Sequence, residues 1–551
     1  MFGLRPGAPK RNLKLVIVVA GTRGDVQPCI ALSLALSKQG HRPLVLAPEP
    51  FRALCSAHDV PFSSLGEPAP THMLGRAAKL HEVFELLAPW LVANWSRLAE
   101  TVRAACGAHG ADAVLATAFA LPFTRDVCAA GIGLGALGRG LNGDPLPVWG
   151  LHFACDLPTR ARAPAGYETW LRADQHGFYM MNMLMHVVQL VRVAYVWWST
   201  GLAKCRQTYR KQTLGLEEND PEEVHLLMHT PSLFGVSRHA LPGGWPRDYP
   251  PCNHCTGFWL LDAPPGWTPP DKLARFCGVS ERAGGEAQQH GATPDVLRQS
   301  DDVEDQPVCV TFGSMREVLV GGAGGTSVLD LVTCLRATFH ARVILIGPPM
   351  GDQECAAFDA DDGFCHVEGV PHDWLFPRCR LVIHHGGAGT TARCMHSAVP
   401  QIVCPHFRWA DQVHWAADVQ RLGVGVAVTE TGVQGSRQMR RALANLLKRG
   451  VARDRAYAAA IGLARRLRAE GEAGNGATIA ARLLERDIEL QIDGKESTGA
   501  VHSLKDEPEY RCTRLCVMTS FSLIIWITHL YIMRTRVLSP AALELMQSDQ
   551  S

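Results

Sequence analysis

The sequence has no excess charge of either sign. Its 551 residues carry 54 Lys plus Arg against 53 Asp plus Glu, a formal charge of +1, so no global field draws it toward a polyanion and nucleic acid is not expected as a partner. Charged residues are scarce as well, 19% against 47% hydrophobic. That balance excludes a disordered or fibrous chain and allows large cores in two or three domains. Paired cysteine motifs are missing: the 18 Cys are scattered, and the near pair Cys252 and Cys255 has no second pair at zinc spacing. The thiols are therefore read as free, in a reducing compartment, and no metal is assigned. Met1 to Asn12 is rich in Pro, Gly and basic residues without an apolar core, so no secretory leader is expected and the protein is placed in the cytoplasm or on the cytosolic face of a membrane.

Two apolar stretches interrupt this ordinary composition. Leu515 to Met533 runs 19 residues without a formal charge between Arg511, Arg514, Arg534 and Arg536. It just reaches the roughly 20 residues of a bilayer span, although Thr519, Ser520, Ser522, Thr528 and His529 dilute it; an anchor, an interfacial helix and a helix packed on the protein all fit. Phe178 to Leu202 is apolar nearly all round and dense in Met and Trp. It reads as a core helix, a pliable pocket wall or a surface that touches membrane.

Elsewhere the pattern is α/β. Leu13 to Ala20 is a short run rich in β-branched residues ending at Gly21, as a strand buried on both faces requires. Pro28 to Lys38 then reads as a helix stopped by Gly40, and Pro43 to Ala47 as the next strand. A helix over Trp90 to Ala105 and a strand over Asp112 to Ala116 continue a doubly wound series. From Ala263 to Gln306 the chain turns rich in Pro, Gly and charge, a linker with a flexible insert. A second series starts at Pro307, with strands at Val308 to Phe312, Arg342 to Ile346, Cys365 to Val367, Leu381 to His384 and Gln401 to Cys404. The expected organisation is a first domain over 1–265, a linker over 266–306, a second domain over 307–485 and a tail over 486–551 with the candidate membrane segment 515–533.

Ile383-His384-His385-Gly386-Gly387-Ala388-Gly389-Thr390-Thr391 carries the clearest chemistry. A strand, a glycine turn and the first turn of a helix form an anion site: glycines admit the ligand, the helix N-terminus offers unpaired N–H groups, and Thr390 and Thr391 add hydroxyls. An imidazole there can donate to a phosphate oxygen.

Together with three other blocks, this segment resembles the inverting, nucleotide-sugar-dependent glycosyltransferases of the GT-B fold, specifically the sterol 3-beta-glucosyltransferases and related bacterial antibiotic glycosyltransferases. The other blocks are Gly21-Thr22-Arg23-Gly24-Asp25-Val26-Gln27-Pro28, Thr256-Gly257-Phe258-Trp259 and Thr311-Phe312-Gly313-Ser314, while Glu368 to Phe376 leads into the His-His-Gly-Gly turn itself. The likeness runs from about Leu13 to Gly425. It implies two Rossmann-like doubly wound domains facing each other across a cleft, the second holding a UDP-sugar and the first the acceptor. It also implies transfer of glucose from UDP-glucose to the 3-hydroxyl of a sterol, with inversion and without a metal. Asp25, beside Gly24 in the loop after the first strand, corresponds to the family's base. His385 corresponds to its α-phosphate contact, Gly387, Ala388, Gly389 and Thr390 to the phosphate turn, Ser314 to a phosphate or ribose contact, and Val370 to a backbone contact with uracil. Trp374 is either a stacking ring for the nucleotide or a core aromatic. Asp411 and Gln412 match the pair that holds the sugar hydroxyls, although His406 to Ala410 make the segment before them two residues longer than the family pattern. Gly131 to Leu146 lacks the family's aromatic acceptor segment, so a different lipid or apolar acceptor stays open, as does a noncatalytic nucleotide- or lipid-binding protein.

Overall fold

The computed structural model describes residues 11–492, except for 131–145, 166–178, 219–229, 280–303, 314–327, 348–361, 430–431, 471–474 and scattered positions within 71–78 and 156–163. Ser314, the insert of the linker, Gly131 to Pro145 and the candidate membrane segment 515–533 lie outside the described residues.

Two parallel sheets carry the fold. The first runs β3-β2-β1-β4-β5-β6-β7, built from β1 (Lys14–Val18), β2 (Arg42–Ala47), β3 (Phe62–Ser64), β4 (Ala113–Thr117), β5 (Val148–His152), β6 (Ser232–Phe234) and β7 (Asn253–Cys255). The second runs β10-β9-β8-β11-β12-β13, from β8 (Val308–Thr311), β9 (Val343–Ile346), β10 (Phe364–Val367), β11 (Leu381–His384), β12 (Gln401–Val403) and β13 (Gly425–Ala427). Every pairing is parallel, with Ile17 beside Val45 and Leu115, and Ile383 beside Val310 and Ile402. The central strands are buried on both faces, which is why they read as unbroken apolar runs. Strand order reverses between β1 and β4 and again between β8 and β11, and open α/β sheets bind ligands at the carboxyl ends of strands at such points.

Two helices begin earlier than their sequence signals. The first spans Arg23–Lys38 with Pro28 inside it, so Asp25 stands in its first turn and not in a glycine loop. Thr22 and Asp25 form a reciprocal capping box: the Thr22 side chain accepts from the helix backbone while Asp25 Oδ2 accepts from Thr22 N–H at 2.7 Å. That cap starts the helix before Pro28. The helix expected over Trp90 to Ala105 spans Leu80–His109, and Gly110 in a left-handed conformation ends it. It lays Trp95, Leu98, Val102 and Cys106 on the first sheet.

The last described helix, Gly476–Ile492, begins within the stretch 307–485 expected for the second domain but packs on the first. Ala477, Ala480, Ala481, Leu484 and Ile488 complete the core formed by Leu15, Ile17, Ile30 and Leu36. Other contacts tie the domains together. Arg162 forks onto the buried Asp418 at 2.7 and 2.8 Å, Ala263 N–H donates to Asp373 at 2.9 Å, and Phe258 packs on Trp415.

Candidate active site

Between the sheets lies a cleft of about 980 Å³. The loops after β1, β4, β8 and β11 all open into it. Gly24, Asp25, Val370, His385, Gly387, Ala388, Gly389, Thr390, Asp411 and Gln412 line it together. Ser314 is the sole expected site residue outside the described residues.

The two histidines at the end of β11 have different jobs. His384 is fully buried, its Nδ1 accepts from Gly386 N–H at 3.0 Å and its Nε2 donates to Gln401 Oε1 at 2.8 Å. That pairing sets the tautomer and pins the turn, and burial pushes the ring down to about 3. His385 reaches the cleft. Burial, with a smaller contribution from His406, holds it near 4, so near neutrality it is an uncharged imidazole with one N–H to give. Its Nδ1 is buried without a hydrogen-bond partner, a cost unless a ligand supplies one. Gly386 has φ +91°, and a Cβ there would stand 2.8 Å from Val403 Cγ1; a Cβ on Gly387 would stand 2.7 Å from His385 Nε2. These two glycines let the turn close beneath the imidazole.

Gly387 then opens the helix Ala388–His396 with no side chain capping its N-terminus. The N–H groups of the first turn therefore face the cleft beside His385, as an anion site requires. Thr391 departs from expectation. It is fully buried and its hydroxyl donates back to Gly387 O at 2.9 Å, so it secures the turn and is not a ligand donor.

The longer segment before Asp411 and Gln412 wraps around one amide. Gln412 Oε1 accepts from both His406 N–H and Phe407 N–H, at 2.8 and 2.9 Å, which leaves its Nε2 for a ligand. Asp411 Oδ2 accepts from Trp415 Nε1 at 3.0 Å, fixing the carboxylate at the cleft wall. Trp374 belongs to the core: it packs on Trp267 at 5.7 Å and under the Arg378 guanidinium at 4.5 Å. Trp267 lines the cleft in its place.

Three further groups to which the sequence assigned no role line the cleft. Arg393 bonds Leu261 O at 2.8 Å and Asp262 at 3.0 Å across the domains. His372 stacks on Phe376, and burial, reinforced by Arg393 and Arg23, lowers it to about 3. His58 is buried and lowered by burial, against the pull of Asp373 and Asp262. Arg393 and His58 have no motif spacing, and His372 falls within the Glu368 to Phe376 block without a role assigned to it there.

On the first-domain side the cleft becomes an aromatic chamber. Phe84 packs on Phe119 at 6.1 Å and on Trp197 at 5.7 Å, and Trp95 on Trp197 at 5.8 Å and Phe123 at 6.0 Å. The chamber's aromatic rings come from the helix Leu80–His109, from Phe119 and Phe123 after β4, and from the helix Tyr179–Ser199.

Two facing parallel sheets, switch-point loops meeting in one cleft and a last helix crossing back define a GT-B glycosyltransferase fold. Spinosyn forosaminyltransferase SpnP matches it with a TM-score of 0.54 at 17% identity, over 87% of this chain and 100% of that one. Residues 15–122 match the glycosyltransferase family 28 N-terminal domain, and residues 351–479 the erythromycin biosynthesis protein CIII-like C-terminal domain. Within that class the chain is similar to the sterol 3-beta-glucosyltransferases. It is 26% identical to that of Saccharomyces cerevisiae over 442 residues and to that of Aspergillus fumigatus over 435, covering 77% of this chain in each case. It spans 32% and 27% of their lengths, about a third or less.

Proposed function

We propose that the protein transfers glucose from UDP-glucose to the 3-hydroxyl of a sterol, with inversion to a β-glucoside. The observation that carries this is the single cleft in which an uncapped helix N-terminus and His385 face Asp25, with an aromatic chamber adjoining. The names of the relatives support sterol and glucose as the particular substrates.

The chemistry follows from the groups present. Asp25, oriented by Thr22 N–H, takes the proton of the acceptor hydroxyl as its oxygen attacks the anomeric carbon from the face opposite the nucleotide. The C–O bond to the diphosphate breaks with its electron pair leaving on UDP, and in-line displacement inverts the centre. His385 and the backbone N–H groups of Gly387 to Thr390 stabilise the charge that grows on the leaving diphosphate. These are protein dipoles and a neutral imidazole, so no divalent ion is needed. Val370 presents its backbone to the uracil, while Asp411 accepts from and Gln412 Nε2 donates to the sugar hydroxyls. The protein is proposed to work in the cytoplasm or on the cytosolic face of a membrane, and the described cysteines are free.

Purified protein incubated with labelled UDP-glucose and sterols, other lipids and polar aglycones, without added metal, tests the reading. A β-glucosylated sterol is the expected product. UDP-glucose binding with product only on another aglycone would replace the acceptor, and absence of nucleotide binding would overturn the assignment.

A further inference from the structure

The segment His406 to Ala410 bridges the two domains. It follows β12 in the second domain, yet Phe407 is 7% exposed in a cluster whose other buried members, Leu74, Ala77, Val83 and Leu87, all belong to the first. Trp409 packs on the same cluster with its ring 5.3 Å from that of Phe407, and its Nε1 donates to Leu74 O at 3.3 Å. Arg408, between the two rings, is exposed. Burial of apolar surface thus sends both rings into the first domain and leaves the cation in water. This is the segment that is two residues longer than the family pattern.

Its two ends hold Asp411 and Gln412. Gln412 Oε1 accepts from the N–H groups of His406 and Phe407 at 2.8 and 2.9 Å, so the amide turns with the backbone of the bridge. Asp411 follows Ala410, which itself packs on the first-domain cluster. We infer that Trp409 is a positioning residue for the donor sugar: its ring and its bond to Leu74 O tie the Gln412 amide and the Asp411 carboxylate to the first domain.

The helix that receives the bridge, Leu80–His109, also walls the aromatic chamber with Phe84 and Trp95. Leu87 serves both, since it lines the cleft and belongs to the cluster under Phe407. Sugar and acceptor are therefore registered against one helix. That register sets the distance from the attacking oxygen to the anomeric carbon, where an error of about 1 Å can cost 10²-fold in rate. The diphosphate turn, by contrast, is pinned within the second domain by His384 and by the Thr391 hydroxyl. UDP without a sugar should not depend on the bridge. Assignment of Asp411 and Gln412 to the sugar rests on the proposed function; the tie between the bridge and the first domain does not.

The test compares the affinities of UDP-glucose and UDP for the full chain by calorimetry, in Trp409→Phe, Gln412→Ala and the double variant. Trp409→Phe keeps a ring in the cluster and removes the N–H, so UDP-glucose affinity should fall about fivefold, the loss of one neutral hydrogen bond. Trp409→Ala, which also gives up the ring, should cost about twentyfold. UDP affinity should hold in both, which shows that the chain is folded. On a Gln412→Ala background Trp409→Phe should add little, because the two act through one contact. Equal losses for UDP and UDP-glucose would make Trp409 merely structural and overturn the inference. Unchanged UDP-glucose affinity in both Trp409 variants, or full additivity with Gln412→Ala, would overturn it as well. Unchanged affinity in Gln412→Ala alone would strike the sugar pair from the proposed function, and this inference with it.

Discussion

His385 and Asp25 line the same cleft, and removing each should produce a different defect. Asp25→Ala removes the group assigned as base, so turnover should fall about 10²- to 10⁴-fold. UDP binding measured by calorimetry should persist, and retained turnover would strike Asp25 from that role. His385→Ala should instead weaken UDP binding by about 1.5–3 kcal/mol, the range for a hydrogen bond to a charged group. Gly387→Ala reaches the same contact indirectly, because its Cβ meets His385 Nε2 at 2.7 Å. Nucleotide affinity should drop while the thermal midpoint changes little; an unchanged affinity would mean the imidazole is not held where the diphosphate binds.

At the scale of elements, the cap at Thr22 and the buried histidines set stability. Thr22→Ala should cost about 0.5–2 kcal/mol of unfolding free energy, read by denaturant titration, and should also loosen Asp25. His372, His384 and His385 have folded values near 3 to 4 against an ordinary 6.5. Below pH 6.5 the unfolded chain therefore binds more protons than the folded one. Stability should be flat above that pH and should decline from pH 6.5 toward 4. His384→Asn should flatten that decline in a melting series, and an identical slope would remove His384 as a contributor. The same elements show what was legible in the sequence. Strands β1, β4, β8 and β11 are apolar on both faces and announce themselves, and the anion turn follows from its glycines. Strands β3, β5, β6, β7 and β13 carry no such signal; β3, β6, β7 and β13 have only three residues each, too few to show a period. Pro28 reads as a helix start, but a capping box that begins six residues earlier, at Thr22, outweighs its missing N–H. Arg393 and the aromatic chamber have no local signature, since tertiary contact alone brings them to the cleft.

At the scale of the molecule, the buried pair of Arg162 and Asp418 joins the halves. Arg162→Met leaves the Asp418 carboxylate buried without its guanidinium, and removing one partner of such a pair costs about 3–5 kcal/mol. Thermal unfolding should shift down and separate into two transitions; a single unshifted transition would show that other contacts hold the domains. The helix Gly476–Ile492 has a different kind of consequence. Its start is locked at the crossing, where Gly476 N–H donates to Phe258 O at 2.7 Å and a Cβ on Gly476 would collide with Gly257. During synthesis, the amino-terminal half emerges first but lacks the wall of its own core until Ile492 has left the ribosome. The half made first is therefore finished last, and a ribosome stalled in the linker would carry a nascent chain whose apolar face on Arg23–Lys38 is open to chaperones.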